Sequence, residues 1–383
     1  MKALFILTGG QFLYGANRSI SGLLRELDYE YDIMICKGFT TKIDEESIRQ
    51  ILGKNLKNIY ECWLPRYRCY FFDKNGFISE LSHYINNCMA YLCRHKKNVI
   101  IEKGNYDVIH LNSLVLYPLI NKDKKYIIHA RELINPKYKW IDLFKKHIRK
   151  AAGIIYIDVS TQKSVEAYYE HKKGIVINNP FDMLTVENLE YRECMNRFQL
   201  SYDTTVFSML GQIGKSKGSD LVLEAFHRVK SSNIAMLVVG NYEHKFGRML
   251  IEKYKDDKRI IFCGEYLDTS PIFRISDYIL RGEDQFCIGR TIYEGLYSGC
   301  GVIIPGNESN LESIVENEIW GDKIVFYEPV NLNELVDCID ACAKKKFIEK
   351  KYYSNTKDYV KKYKAFIEDV LFSEVEVHEA IYR

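Results

Sequence analysis

The sequence predicts two Rossmann-like, doubly wound α/β domains in one chain. Three observations indicate this fold class: a length of 383 residues, short apolar runs that alternate with helical patterns, and a second series of such runs after a turn-rich break. A single hydrophobic core rarely supports so long a chain, so two domains are expected. Hydrophobic residues make up 47% and charged residues 27% of the chain, which are ordinary globular proportions.

Short continuous apolar runs are typical of buried parallel strands. The first series predicts strands at Ala3–Leu7, Tyr31–Cys36, Val108–Leu111, Tyr126–His129 and Gly153–Ile157. The second series predicts strands at Thr205–Leu210, Ala235–Gly240, Arg259–Cys263, Tyr278–Leu280, Gly301–Ile304 and Lys323–Phe326. Helical patterns lie between the runs, so each series predicts a parallel sheet flanked by helices.

A turn-rich break at residues 178–182, Asn-Asn-Pro-Phe-Asp, separates the two series. We therefore predict a first domain over residues 1–190 and a second over 191–354. The last stretch, 355–383, has aromatic residues spaced for one helical face and is expected to pack back on the first domain.

Charge is unevenly distributed: residues 1–185 carry a formal charge of +9 and the remainder −6. Basic runs at 122–125 and 145–150 contribute to this asymmetry. A basic half suggests an anionic partner, such as a membrane surface or a lipid phosphate, but a solvated basic face explains it equally well.

Cysteine usage and hydropathy favour the cytoplasm. The eleven cysteines are odd in number and include no Cys-x-x-Cys pair, as expected for reduced thiols. The apolar run Ala3–Leu7 is too short for a signal peptide, and no run reaches the about 18 apolar residues of a membrane span. Any membrane attachment is therefore expected to be peripheral.

Three glycine-containing loops follow predicted strands and precede predicted helices, where helix N-termini bind anions. The first, Gly9–Ser19, contains Gly15 and Ala16 but matches neither the dinucleotide fingerprint nor the P-loop. Gly9 and Gly10 are explained equally well as residues that only end the first strand. The second, Gly211–Asp220, offers Lys215 and Lys217 to a pyrophosphate.

The third loop, Gly282–Thr291, leads into the helix predicted at Ile292–Ser298. Gly289 permits close approach of a ligand, and the N–H groups of Arg290 and Thr291 open the helix as an anion site. Glu294 lies about one turn inside this helix, suitably placed to accept hydrogen bonds from a ribose diol. Its apolar neighbours suggest burial, and a buried carboxylate needs a partner.

Together these segments resemble the large retaining glycosyltransferase group of glycosyltransferase family 4, also called glycosyl transferases group 1. The second loop resembles that family's phosphate motif, with Gly211-Gln212-Ile213, Lys217-Gly218, Asp220 and Glu224-Ala225-Phe226. The third resembles its Glu-x-Phe-Gly motif, which ends in Glu-Ala. Further matches in order are Asp107–His110, His129–Glu132 and Ile177–Asp182. The resemblance covers most of the chain.

The resemblance implies the GT-B fold, two Rossmann-like domains facing a central cleft, and a role for each matching residue. Lys217 is expected to contact the donor diphosphate and Glu294 the ribose, while His110 matches a histidine near the reacting sugar. The donor-binding positions that the resemblance implies are Gly15, Ala16, Gln212, Lys217, Gly289, Arg290, Thr291 and Glu294. The turn at Gly15–Asn17 is expected to face the donor and to help shape the acceptor site.

Two positions depart from the family pattern. Phe286 stands where the family has its first glutamate, and Gln212 stands where it has the arginine of the phosphate loop. Arg281, Glu283, Asp284 and Arg290 lie in the same loop and are candidate substitutes. Asn112 replaces the second histidine of the family's His-x-His.

The implied reaction moves a sugar from a UDP- or GDP-linked donor to a glycan or polyprenyl-diphosphate-linked acceptor, in bacterial surface polysaccharide synthesis at the inner face of the membrane. The resemblance implies retention of configuration. No cofactor and no metal are expected, because no Asp-x-Asp pair lies at a strand end. The two departures leave a non-catalytic GT-B partner subunit or sugar-binding module as an alternative, and a GT-B epimerase or phosphorylase as another. A nucleic-acid partner is not expected, since no basic-aromatic recognition motif occurs.

Overall fold

The computed structural model describes residues 1–9, 12, 15–36, 43–62, 81, 85, 92, 94–121, 123–134, 140–345 and 350–372. Residues 10–11 and 13–14 of the first glycine loop, Lys122 of the first basic run and the end of the predicted C-terminal helix lie outside this part. The chain divides into two compact units, one from Met1 to Pro180 together with the segment from Thr356 onward, the other from Phe181 to Asn355.

The first unit contains a parallel sheet of seven strands in the order β3-β2-β1-β4-β5-β6-β7. The strands are β1 (Ala3–Thr8), β2 (Tyr31–Cys36), β3 (Leu56–Cys62), β4 (Val108–Leu111), β5 (Tyr126–Ala130), β6 (Gly153–Tyr156) and β7 (Gly174–Val176). Its helices are α1 (Gly15–Glu26), α2 (Glu45–Leu52), α3 (Arg94–Gly104), α4 (Ile141–Ile148) and α5 (Val159–Glu166), with a 3₁₀ segment at Leu114–Leu119. Apolar clusters cover both faces of the sheet, as the continuous apolar strands predict.

The second unit repeats the architecture with six parallel strands in the order β10-β9-β8-β11-β12-β13. They are β8 (Thr205–Leu210), β9 (Ile234–Val239), β10 (Ile260–Gly264), β11 (Tyr278–Leu280), β12 (Gly301–Pro305) and β13 (Ile324–Tyr327). Its helices are α6 (Leu184–Glu187), α7 (Tyr191–Arg197), α8 (Ser219–Arg228), α9 (Lys245–Tyr254), α10 (Ser270–Ile275), α11 (Arg290–Tyr297), α12 (Asn317–Trp320) and α13 (Leu332–Cys342). Short 3₁₀ segments lie at Lys215–Lys217, Glu308–Ser313 and Gly321–Lys323.

The last described helix, α14 (Thr356–Phe372), packs in the first unit. Tyr359, Tyr363 and Phe366 are buried in the same apolar cluster as residues of β1 and α1. The helix also contacts α1 directly. These aromatic residues are those whose spacing predicts a single apolar face.

The structural division falls after Pro180, ten residues before the predicted domain limit at 190. Phe181 packs on Tyr293 and Tyr297 of α11, with ring centroids 5.6 and 5.1 Å apart, so the chain has already entered the second unit there. At the other end the division falls after Asn355, whose Oδ1 accepts a hydrogen bond from the Phe181 N–H at 2.7 Å.

Candidate functional site

The order of strands in the second sheet reverses between β8 and β11, which are paired neighbours. In open α/β sheets, ligands bind beyond the carboxyl ends of the strands at such a switch point. The loop after β8 begins at Gly211, and the loop after β11 begins at Arg281. The second and third glycine loops therefore flank the expected ligand position of this unit.

The loop after β8 is pressed against the loop after β11 through two glycines. Gly218 has a φ of +58°, and a Cβ placed on it would lie 1.6 Å from the carbonyl oxygen of Gly282. A Cβ on Gly282 would in turn lie 2.5 Å from the carbonyl oxygen of Gly218. No side chain fits at this contact, so both glycines are required for the two backbones to touch.

A buried ion pair, Arg281–Glu283, lies beside this contact. The Glu283 carboxylate accepts hydrogen bonds from Arg281 Nε at 3.0 and 3.2 Å and from Arg281 Nη2. The two side chains are 7% and 0% exposed. Burial alone would lower the pKa of Arg281, but the Glu283 carboxylate beside it raises that pKa, so the guanidinium stays charged.

The pair contacts both predicted anion-binding segments. Lys217 Nζ donates to Glu283 Oε1 at 3.5 Å, and Arg281 Nη1 donates to Thr291 Oγ1 at 3.0 Å. A Cβ placed on Gly289 would lie 3.5 Å from Arg281 Nη2, so the guanidinium lies directly against the start of α11. Lys217, Gly289 and Thr291 are thus brought together around one ion pair.

Helix α11 begins at Arg290, two residues earlier than the helix predicted from the apolar pattern. Glu294 is 3% exposed, and its Oε1 accepts a hydrogen bond from Arg290 Nε at 2.9 Å. Arg290 also lies over the ring of Phe181, 4.9 Å from its centroid. The sequence predicts that a buried Glu294 carboxylate needs a hydrogen-bonding partner, and Arg290 is one such partner.

The two residues that depart from the family pattern have different surroundings. Gln212 is exposed in the loop after β8. Phe286 is partly buried and packs near Phe326, with ring centroids 6.5 Å apart, and near Gly306. Phe286 thus belongs to an apolar cluster, whereas Lys217 Nζ lies 3.5 Å from a carboxylate oxygen of Glu283.

The first sheet also reverses its strand order, between β1 and β4. Gly15 and Ala16 begin α1 there, and the carbonyl of Ala16 accepts a hydrogen bond from Asn112 Nδ2 at 3.3 Å. His110 lies in β4 and is fully buried, and a 2.8 Å hydrogen bond joins its Nδ1 to the hydroxyl of Tyr363. A fully enclosed imidazole cannot contact a ligand unless its neighbours move.

Arg131, which is matched in the sequence only as part of a longer motif, links several polar side chains of this unit. Its Nε donates to Asn112 Oδ1 at 2.8 Å, its Nη1 to Asn179 Oδ1 at 2.5 Å and its Nη2 to His129 Nδ1 at 3.3 Å. A guanidinium has no acceptor, so neutral His129 carries its proton on Nε2. Burial, with the Arg131 charge adding to it, lowers the pKa of His110 to about 3 and that of His129 well below its usual value.

The described residues contain neither a cluster of metal ligands nor a helix that could span a membrane. Within the described ranges, no group of three or more His, Cys, Asp or Glu side chains is arranged to hold a metal ion. No helix among the residues that the structure describes is both long and apolar enough to cross a membrane.

Comparisons with known proteins relate the second unit to a family and the whole chain to solved structures. Residues 192–363 match the family model described as glycosyl transferases group 1. No curated protein matches the chain in sequence. HepE from Anabaena, solved in complex with UDP, is 12% identical, with a TM-score of 0.72 over 96% of this chain and 100% of that one.

Two other solved structures are similar over nearly their whole length. A glycosyltransferase from Rickettsia africae is 17% identical, with a TM-score of 0.67 over 97% of this chain and 99% of that one. WaaG, described as a glycosyltransferase involved in lipopolysaccharide biosynthesis, is 13% identical, with a TM-score of 0.62 over 97% and 94%. The predicted fold class is confirmed: the chain has the two-domain GT-B fold of these glycosyltransferase structures, and its residues 192–363 match the model of glycosyl transferases group 1.

Proposed function

We propose that this protein transfers a sugar from a nucleoside-diphosphate sugar to a glycan or lipid-linked acceptor and binds the donor in its second unit. The observation that carries the proposal is the grouping of Lys217 and the start of α11 at the switch point of the second sheet. A lysine and a helix N-terminus together offer an anion both a positive charge and unpaired N–H groups. HepE, whose fold is similar, was solved with UDP.

Each predicted donor-site residue of the second unit has a role in this proposal. Lys217 contacts the diphosphate, and the backbone N–H groups of Gly289, Arg290 and Thr291 bind its oxygens. Gln212 lies in the same loop as Lys217 and borders the proposed diphosphate site. Glu294 accepts hydrogen bonds from the ribose. Negative charge develops on the departing diphosphate as the glycosidic bond breaks, so preorganised donors aimed at it lower the barrier.

The proposed acceptor side is formed by the first unit. The turn at Gly15 and Ala16 lies at that unit's own switch point, beside Asn112. His110 is the predicted catalytic residue of this unit. Because it is fully buried, we propose that it acts through Tyr363, whose hydroxyl is hydrogen-bonded to its Nδ1. Replacing His110 with Asn and finding unchanged turnover with any acceptor would remove it from the mechanism.

We propose UDP- or GDP-linked donors, retention of anomeric configuration and turnover without a divalent metal. Neither loop of the second unit contains an Asp-x-Asp pair of the kind that holds a divalent ion against phosphates. Full activity in EDTA is the expected result, and activity lost in EDTA and restored by manganese would contradict it.

The proposed setting is surface polysaccharide synthesis at the inner face of the cytoplasmic membrane. WaaG is described as a glycosyltransferase involved in lipopolysaccharide biosynthesis and WaaB as a lipopolysaccharide outer core galactosyltransferase, and both have similar folds. The net charge of +9 over residues 1–185 favours contact with anionic lipid around a polyprenyl-diphosphate acceptor. The protein is expected to sediment with anionic vesicles at low salt, and failure to do so would remove the membrane contact from the proposal.

The test of the donor site is replacement of Lys217 with Ala. One preorganised charge of this kind contributes about 3–4 kcal/mol to transition-state stabilisation, so kcat/KM for the donor is expected to fall roughly 100-fold or more. Lys215 provides the matched control, because it belongs to the same 3₁₀ segment but is exposed, with its Nζ 5.9 Å from the centroid of the Phe246 ring.

A loss below about threefold in Lys217→Ala would contradict the assigned role. A large loss in Lys215→Ala with little change in Lys217→Ala would transfer the role to Lys215. A thermal-shift screen across UDP-, GDP- and ADP-sugars identifies the donor, because a ligand that binds only the folded chain raises its melting temperature. Donor binding without turnover on any acceptor would favour the non-catalytic alternative.

A further inference from the structure

The Arg281–Glu283 ion pair has no assigned role in the chemistry proposed above. We infer that Arg281 and Glu283 form a positioning pair that fixes the spacing between Lys217 and the start of α11 so that both can contact one diphosphate. This inference rests on the proposed function and deepens it, because it names the residues that determine how the site recognises a nucleoside diphosphate.

The geometry of the pair favours positioning over direct contact with a ligand. Both Glu283 oxygens are engaged by Arg281, and the Arg281 carbonyl accepts a hydrogen bond from the hydroxyl of Tyr327 at 2.8 Å. Neither charged side chain is more than 7% exposed. Fixed, desolvated groups of this kind orient their neighbours, because their own rotamers are locked by the bonds they make.

The pair holds two segments from different parts of the sequence. Glu283 contacts the loop after β8 through Lys217. Arg281 contacts α11 through the hydroxyl of Thr291. The backbone contact between Gly218 and Gly282 fixes how closely the two loops approach. The spacing between the lysine ammonium and the helix N-terminus is therefore determined by residues that lie 64 positions apart along the chain, Lys217 and Arg281.

The charges also suit a ligand that arrives as an anion. Arg281, Glu283 and Lys217 together carry one net positive charge before a donor binds. Lys217 is 3.5 Å from Glu283, at the long limit of a hydrogen bond, whereas Arg281 makes three hydrogen bonds to that carboxylate from Nε and Nη2. When a diphosphate enters, Lys217 can turn to it while the carboxylate remains neutralised by Arg281.

The closing experiment compares UDP and GDP binding by calorimetry between the unaltered chain and the double variant R281M/E283L. Apolar replacement of both partners of a buried pair usually preserves the fold, whereas removal of one partner leaves a buried charge. The expected result is a melting temperature within a few degrees of the parent and an affinity for the nucleoside diphosphate about tenfold weaker or more, the loss of about one charge-assisted hydrogen bond.

E283Q, which keeps the size of the side chain and a hydrogen-bond acceptor at position 283, is a second test of the inference, and R259M is its control. E283Q removes the negative charge that attracts Lys217. If Glu283 only neutralises Lys217, this variant is expected to bind UDP more tightly. If Glu283 positions Lys217, the variant is expected to bind UDP more weakly and to show a raised donor KM with a smaller change in kcat. R259M is the matched control, since Arg259 pairs with Asp257 just before β10 and is remote in sequence from both loops. It is expected to lower the melting temperature without changing the UDP affinity.

The possible outcomes separate the inference from the proposed function. If the unaltered chain binds no nucleoside diphosphate, the proposed function is refuted and the inference with it. If the unaltered chain binds UDP or GDP and the folded double variant or E283Q binds it equally well or better, the positioning role is refuted while the proposed function stands.

Discussion

Replacement of Gly218 with Ala tests whether the contact between the two loops determines activity. The new Cβ would lie 1.6 Å from the carbonyl oxygen of Gly282, whereas such carbon–oxygen contacts are normally about 3.3 Å, so the backbones must separate by about 1.7 Å. A left-handed φ of +58° adds about 1–2 kcal/mol of strain for a residue with a side chain. Since a misplacement of about 1 Å costs about 100-fold in rate, kcat/KM for the donor is expected to fall at least that far although Lys217 is retained.

The assay is donor-dependent turnover, measured beside the thermal unfolding of the same preparation. Gly214 supplies the matched control, because it lies in the same loop with an extended φ of −173°, and a Cβ placed on it would have no neighbouring atom within 4 Å. Gly214→Ala is expected to leave the melting temperature unchanged. Turnover of Gly218→Ala within about threefold of the parent would refute the argument that loop spacing controls the reaction.

Two predictions concern the buried polar cluster of the first unit. Burial lowers the pKa of His110 to about 3, whereas a histidine in the unfolded chain has a pKa of about 6.5. The neutral, buried His110 therefore stabilises the fold above about pH 6.5, and this contribution is lost as the pH falls below that value. The free energy of unfolding from urea titrations is therefore expected to include a loss of about 2 kcal/mol from His110 between pH 7 and pH 5, and this slope should be smaller in His110→Asn. Tyr363→Phe removes the hydroxyl bonded to His110 and is expected to lower the free energy of unfolding by about 1 kcal/mol, and an unchanged denaturation midpoint would contradict it.

The sequence predicts most of the sheets because their strands are buried on both faces and read as unbroken apolar runs. It misses β3 (Leu56–Cys62), whose central residues are polar or partly exposed at one edge of the first sheet. It also misses β7, a strand of only three residues at the opposite edge. Edge strands pack on fewer neighbours, so their composition carries a weaker signal.

Helix starts are placed late for a related reason. The apolar pattern begins the helix after the third loop at Ile292, but the structure begins α11 at Arg290. The first turn of this helix follows a glycine and contains few apolar residues, so periodicity cannot detect it. The first turn of α11 contains the N–H groups that we propose for donor binding, so the proposed binding end of the helix is the part least visible in the pattern.

The candidate site shows the same division between what a local pattern can and cannot reveal. Lys217 and Glu294 are predicted as site residues because each belongs to a local motif, but the ion pair that lies between their segments is not recognisable as a motif. Arg281 and Glu283 read in the sequence as two charges after a short strand, a pattern that is usually a solvated loop. The sequence names both residues only as candidate substitutes and does not indicate that they pair. Their position supports that choice, because charges that directly follow a buried strand at the switch point of an open sheet lie where a ligand binds.

The chemistry expected of His110 illustrates the opposite case, in which a motif marks a residue but not its surroundings. Its ring centroid lies 5.1 Å from that of Phe5 and 5.5 Å from that of His129. Its Nδ1 is hydrogen-bonded to Tyr363, on a helix that follows about 250 residues later in the chain. Only the return of α14 to the first unit completes this enclosure, and that return is a tertiary event. A local histidine motif therefore fixes where the side chain lies in its sheet, whereas the distant helix determines whether that side chain can reach a substrate.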